Sequence, residues 1–208
     1  MEKIHLPTRE ISDRMSLNKT LLKRVSCRNF DKKPVYKSHL SNILWAGQGL
    51  LSKKHDMRRT TPSAGSTFPL ELLVAVRKDG VLELDAGIYH YLPEENALEV
   101  ISNKEITDDV SAACFNQEFI RNAGFSILVA SDLERTTQMY AERGERYVYI
   151  EAGAAMQNIS LEAVEQGLGT VIIGAFDDSA INELFGLEKL MPLSIMPVGL
   201  PKDKALYA

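Results

Sequence analysis

Residues 70–76 read LELLVAV, with one charge in seven positions. A strand with one wet face alternates apolar and polar side chains, so this run predicts an interior strand covered on both faces. FSILVAS, residues 125–131, predicts a second. Residues 87–101, GIYHYLPEENALEVI, place two β-rich runs around Pro93-Glu94-Glu95-Asn96 and predict a hairpin. Helical spacing appears over residues 36–51, where Leu40, Ile43, Leu44, Gly47 and Leu51 share a face. The longest periodic stretch, residues 144–167, has Tyr147, Ile150, Ala154, Asn158, Leu161 and Val164/Glu165 tracing one face. Gly153, Ala154 and Ala155 lack bulk there and let another helix come close, in a crowded core or at a subunit interface. An amphipathic segment near 105–115, a short helix near 179–185 and late strands at 170–174 (TVIIG) and 193–199 (LSIMPVG) complete the pattern. The hairpin breaks the βαβ rhythm, so the predicted fold class is α+β with a mixed or antiparallel central sheet, rather than doubly wound.

Composition narrows the function. The 208 residues, 45% hydrophobic and without repeat or linker, read as one domain over 1–208. With 24 basic against 28 acidic residues the net charge is -4, which gives no basic footprint for a nucleic acid. Cys27 and Cys114 form no Cys-x-x-Cys pair and suit a reducing cytoplasm. No stretch approaches the roughly 20 apolar residues of a membrane span, and the N-terminus has no apolar signal core. The expected localisation is cytoplasmic.

Candidate chemistry begins by exclusion. His5, His39, His55 and His90 are scattered, no metal site is expected, and no Gly-x-Ser-x-Gly elbow is present. The glycines of GLGTVIIG, residues 167–174, follow a helix and precede a strand, the reverse of a dinucleotide fingerprint, and read as helix-end residues. In KRVSCRNF, residues 23–30, an extended backbone would put Arg24, Ser26 and Arg28 on one side as an anion grip. The same residues also read as a solvated basic helix end. Between Pro62 and Pro69 lies a narrow loop of Ser63, Ala64, Gly65 and Ser66, suited either to a flat ligand touching backbone or to an ordinary connection.

Together, Arg24-x-Ser26-x-Arg28, PSAGSTFPLE, GIYHY, RGERYVYIEAGAAMQNISLEAVEQGLG, TVIIGAFDD and MPVGLP resemble the FMN-dependent nitroreductase family in order and spacing, and within it the SagB-type branch that includes azoline oxidases. The resemblance implies an FMN-dependent oxidoreductase, homodimeric, with two flavins at the subunit interface. Hydride would pass from NAD(P)H or an organic donor to a nitro, quinone or similar acceptor. It implies that Arg24 and Ser26 hold the phosphate and Arg28 the pyrimidine edge. Pro62, Ser63, Ala64 and Ser66 would lie against the ring from the partner subunit, and the Gly174-Ala175 backbone would face flavin N5. Many relatives have Glu-Gly at that last position, and their basic C-terminal segment corresponds here to Lys202 and Lys204. Azoline oxidases carry Lys-Tyr where this chain has Met139-Tyr140, with Tyr140 read as an aromatic at a helix start; no catalytic side chain is assigned. Gln157 and Asn158 are expected to bond across packed helices. Two alternatives keep the flavin: a dehydrogenase of a peptide-derived heterocycle, and a non-catalytic flavin-binding protein.

Overall fold

A computed structural model describes residues 2–9, 14–51 and 58–203; His55 and Lys204 lie outside the described residues. Eight strands form one sheet: β1 (Lys3–His5), β2 (Phe30–Asp31), β3 (Leu70–Val76), β4 (Gly87–Leu92), β5 (Ala97–Ser102), β6 (Phe125–Ser131), β7 (Gly169–Thr170) and β8 (Met191–Pro201). Their order is β1-β5-β4-β3-β6-β8-β2, with β7 also paired to β8, and each of these pairings is antiparallel. The helices are α1 (Leu17–Lys23), α2 (Lys37–Gln48), α3 (Thr107–Ala113), α4 (Glu134–Tyr140), α5 (Arg143–Glu165) and α6 (Asp178–Phe185).

The continuous apolar runs follow from two cores. In β3, Leu70, Leu72, Val74 and Val76 face one core while Leu73 and Ala75 face the other; in β6, Phe125, Ile127 and Val129 oppose Leu128 and Ala130. The first core takes Leu40, Ile43 and Leu44 from α2 and Val148, Ala152, Ala155, Ile159 and Ala163 from α5. The second takes Val110 and Ala113 from α3 and Ile181 and Phe185 from α6. The central strands therefore lie between helix layers, and each large aliphatic side chain buried there contributes about 1.5–3 kcal/mol.

Several boundaries and faces differ from expectation. The chain leaves α2 at Gly49, whose N–H donates to Trp45 O at 2.7 Å, and Leu50 bridges Arg59, so Leu51 is exposed. The buried face of α5 runs through Val148, Glu151, Ala152, Ala155 and Ile159, while Ile150 is 64% exposed. Ile150 is apolar without being core. TVIIG is strand only at Gly169–Thr170, with an isolated bridge at Ile173↔Ile195. Tyr140 ends α4, because Ala141 at φ 51° turns the chain before α5 begins.

Candidate active site

The Arg24 segment begins at a solvated helix end. Arg24 caps α1, its N–H donating to Thr20 O at 2.9 Å, and the chain then extends. Ser26 forms a parallel bridge with Thr170, and Cys27 N–H donates to Thr170 O at 2.9 Å. Close approach requires Gly169, because a Cβ there would stand 2.6 Å from Cys27 Sγ and 2.7 Å from Cys27 Cβ. With Cys27 buried, Arg24, Ser26 and Arg28 are left exposed. Among the described residues no side chain bonds or pairs with either arginine, so two guanidinium groups on one edge are available to an anion.

The structure brings two further features to this edge. Lys202 N–H donates to Asn29 O at 3.0 Å, next to Arg28. Past the Ile173 bridge, held by reciprocal 2.9 Å bonds to Ile195, the Gly174-Ala175 backbone runs exposed. Nothing lies within 4 Å of where a Gly174 Cβ would be, so a flat group can reach this backbone.

The narrow loop is built elsewhere on the chain. Ser63 Oγ accepts the Phe68 N–H at 2.9 Å, and Thr67 Oγ1 donates to Ala64 O at 3.0 Å and shares a 2.8 Å bond with Thr136 Oγ1. Gly65 has φ 58°, and a Cβ on it would meet Met139 Sδ at 2.6 Å and the Tyr140 hydroxyl at 2.7 Å, so α4 ends against the loop. Arg135 fastens the far side, donating to Phe68 O at 3.0 Å while paired with Glu71 at 2.6 Å and Asp132 at 3.3 Å. Burial works to raise the Glu71 pKa, but His90 at 2.7 Å and Arg135 outweigh it and hold the carboxyl below its ordinary value. Asn158 bonds Thr60 O at 3.3 Å and Thr61 Oγ1 at 3.2 Å, so this amide anchors the loop's approach instead of a second helix. Gln157 is exposed.

Sequence reasoning missed what lies beneath. Glu151 is 3% exposed, and its Oε1 has no hydrogen-bond partner among the described residues. Burial pushes this carboxyl up to about 7; the Ser63 hydroxyl, then Arg59, then Gln48 favour its charged form without restoring the ordinary value. Gln48 Nε2 is likewise buried and unbonded, so the two side chains are neighbours that complete no hydrogen bond. The available signal was an acid on the Val148–Ala152–Ala155 stripe.

The two clusters stand apart along α5. The loop sits over Glu151, whereas α1 lines a hollow that runs from Thr60 and Asn158 to Leu161, Glu162 and Glu165 in the second half of the helix. Fourteen residues of helix separate Glu151 from Glu165, about 21 Å at 1.5 Å per residue. A cleft of about 760 Å³ between α3 and α6 contains none of the candidate residues. A site completed by a second chain would not appear as a cavity in one. Among the described residues no His/Cys/Asp/Glu group could hold a metal, and no helix is long and apolar enough to cross a membrane.

An antiparallel sheet between helix layers, with these features at its edges, is the nitroreductase fold. A solved Ralstonia eutropha JMP134 structure that carries a nitroreductase name matches with a TM-score of 0.83 and 26% identity, over 97% of this chain and 90% of that one. The chain belongs to the nitroreductase family, whose model matches residues 21–200. Protein MJ1384 of Methanocaldococcus jannaschii, which also carries a nitroreductase name, is 39% identical over 187 residues, 90% of this chain and 92% of its own. The Escherichia coli microcin B17-processing protein McbC is 27% identical over 72% of this chain, which spans 57% of McbC. The protein is thus a nitroreductase-family oxidoreductase.

Proposed function

We propose that the chain is an FMN-dependent oxidoreductase that works as a homodimer, moving hydride from a nicotinamide or organic donor to a nitro, quinone or similar acceptor. The observation that carries this reading is the pair of exposed guanidinium groups, Arg24 and Arg28, which have no side-chain partner among the described residues, on an edge beside the open Gly174-Ala175 backbone. These residues fit FMN. Arg24 and Ser26 offer charge-assisted and hydroxyl bonds to its phosphate, with Lys202 nearby, and Arg28 offers positive charge to the pyrimidine edge. A bound flavin would supply the hydride chemistry, and a cation at that edge stabilises the charge that reduction creates. Pro62, Ser63, Ala64 and Ser66 present little bulk and would cover the ring from the partner chain. The N–H groups at Gly174 and Ala175 would face N5.

Dimerisation is supported by apolar surface left uncovered on one chain. Leu17, Leu21 and Leu22 of α1 are exposed, Leu22 at 84%, as are Tyr149 and Ile150 of α5. A Cβ at Gly153 would touch nothing within 4 Å, so a second helix can approach there. The loop lies over Glu151 in the first half of α5 and α1 runs beside Glu162 and Glu165 in the second, which supports a site assembled from two chains.

A second reading, dehydrogenation of a peptide-derived heterocycle, is favoured by the similarity to McbC and by Tyr140 standing against the loop. Met139 beside it, in place of a lysine, weighs against proton abstraction there. A flavin-binding protein without catalysis is the remaining alternative. Purified protein should be yellow, bleach anaerobically with NAD(P)H and recover its colour with a nitroarene or quinone. Yellow protein that bleaches only with a heterocyclic peptide would favour the second reading, protein that no donor bleaches would favour simple binding, and colourless protein that FMN cannot reconstitute would overturn all three.

A further inference from the structure

We infer that Glu151 is a buried proton store for the acceptor half of the reaction, delivering through the Ser63 hydroxyl to the surface of the narrow loop. The inference rests on the proposed placement of that loop against the flavin.

The need follows from stoichiometry. Reducing a quinone to a hydroquinone adds two electrons and two protons; hydride brings the electrons and one proton, and the other must come from elsewhere. The same holds for a nitro group reduced to a nitroso group and water. A shielded site with ready protons shortens that step, and positioned acids typically accelerate such transfers by 10²–10⁴-fold.

The geometry supplies the store and an exit. Facing Glu151 are Arg59 and Ser63 from the loop segment and Gln48 from α2. Of these only Arg59 is charged, and it is committed elsewhere: it donates to Gln48 Oε1 at 3.0 Å and to Glu94 at 2.8 Å. The carboxyl therefore has no dedicated counter-ion, and its unbonded Oε1 can carry a proton. Ser63 is half-buried and faces this carboxyl, and Ser66, three residues on in the same loop, is exposed. Its oxygen already accepts the Phe68 N–H and has a second lone pair for a proton from Glu151. In the transfer the Glu151 O–H bond breaks as a new Ser63 O–H forms, and the original Ser63 proton passes to the acceptor oxygen. Glu151 is left as carboxylate and regains its proton from water. A carboxyl pushed up to about 7 by burial exchanges protons readily near neutrality.

Two measurements test this, one without flavin. Infrared titration of the apoprotein should show a protonated carboxyl that ionises near neutral pH in the wild type and disappears in Glu151→Gln. In flavin-loaded protein, stopped-flow reoxidation by a quinone should slow on the order of 10²-fold at pH 6 in both Glu151→Gln and Ser63→Ala and lose its pH dependence. Reduction by the donor should not slow in Glu151→Gln. Ser63→Thr should restore the wild-type profile, since φ -126° and ψ 134° suit a β-branched residue that keeps the hydroxyl. A Glu151 that ionises in the ordinary carboxylate range, or variants with wild-type reoxidation profiles, would overturn the proposal alone. If Glu151→Gln does not fold, the two Ser63 variants decide. Protein that binds no flavin would overturn the functional reading, and this proposal with it, whatever the infrared titration shows.

Discussion

Gly169→Ala isolates the contact that seats the anion grip. The added methyl would lie 2.6 Å from Cys27 Sγ and 2.7 Å from Cys27 Cβ, well inside van der Waals contact, in a place where Cys27 is buried. Overpacking of this kind costs about 1–3 kcal/mol, and in a chain of this size each kcal/mol lowers the melting temperature by roughly 2–4 °C. The cheapest relief is to push the 24–28 segment away from β7, stretching the 2.9 Å Cys27 N–H to Thr170 O bond. That would carry Arg24, Ser26 and Arg28 out of register with Gly174. Losing one charge-assisted phosphate bond would weaken FMN by about 1.5–3 kcal/mol, on the order of tenfold to a hundredfold. Thermal unfolding of the apoprotein and fluorescence titration with FMN measure the two effects separately. Adding Cys27→Gly removes both clashing atoms, so the double variant should recover FMN affinity even though glycine costs some stability in an extended segment. Unchanged FMN affinity in Gly169→Ala, or a double variant no better than the single, would refute this role for the Cys27–Gly169 contact.

Four further outcomes are expected. Arg24→Ala should weaken FMN tenfold to a hundredfold by fluorescence titration and leave the apoprotein's melting temperature nearly unchanged, because its side chain pairs with nothing among the described residues. Ile150→Glu should shift light scattering from dimer toward monomer and release flavin in the same sample, since it puts a charge on an uncovered apolar surface. Gly65→Ala should destabilise the loop by about 1 kcal/mol through its φ of 58°, and disturb Met139 and Tyr140, read by denaturant unfolding and Tyr fluorescence. For Glu151, a pKa raised from 4.5 to about 7 means that the folded state holds the proton more tightly than the unfolded state. Its contribution to stability should fall as pH rises from about 4.5 to 7, by up to roughly 3 kcal/mol, and urea denaturation of Glu151→Gln should lack that decline.

What could be read from the sequence was what a core imposes. LELLVAV and FSILVAS had no wet face because both faces of β3 and β6 are covered, and that pattern is local. α1 went unseen because Leu17, Leu21 and Leu22 point outward and leave no core periodicity. Ile150 lies on the face its spacing traces, and whether that face is core or interface stays open in the sequence because an apolar residue meant for another surface carries the same signal as one meant for the interior. The grip residues were legible as spacing, but Gly169 was read as a helix end because its role depends on Cys27, more than a hundred positions away. Glu151 and its position under Ser63 depend on the packing of α2, α5 and the loop together, which no single window of sequence contains.

The central claim, an FMN site shared between two chains, is tested most directly by subunit complementation. A chain carrying Arg24→Ala and Arg28→Ala lacks the grip, and a chain carrying Gly65→Trp has its loop blocked. Each alone should form dimers without flavin. A tagged heterodimer of the two should regain one intact site, binding one FMN for every two chains and restoring donor-dependent bleaching to that flavin. A heterodimer as empty as its parents would place grip and loop in the same chain's site and contradict the account.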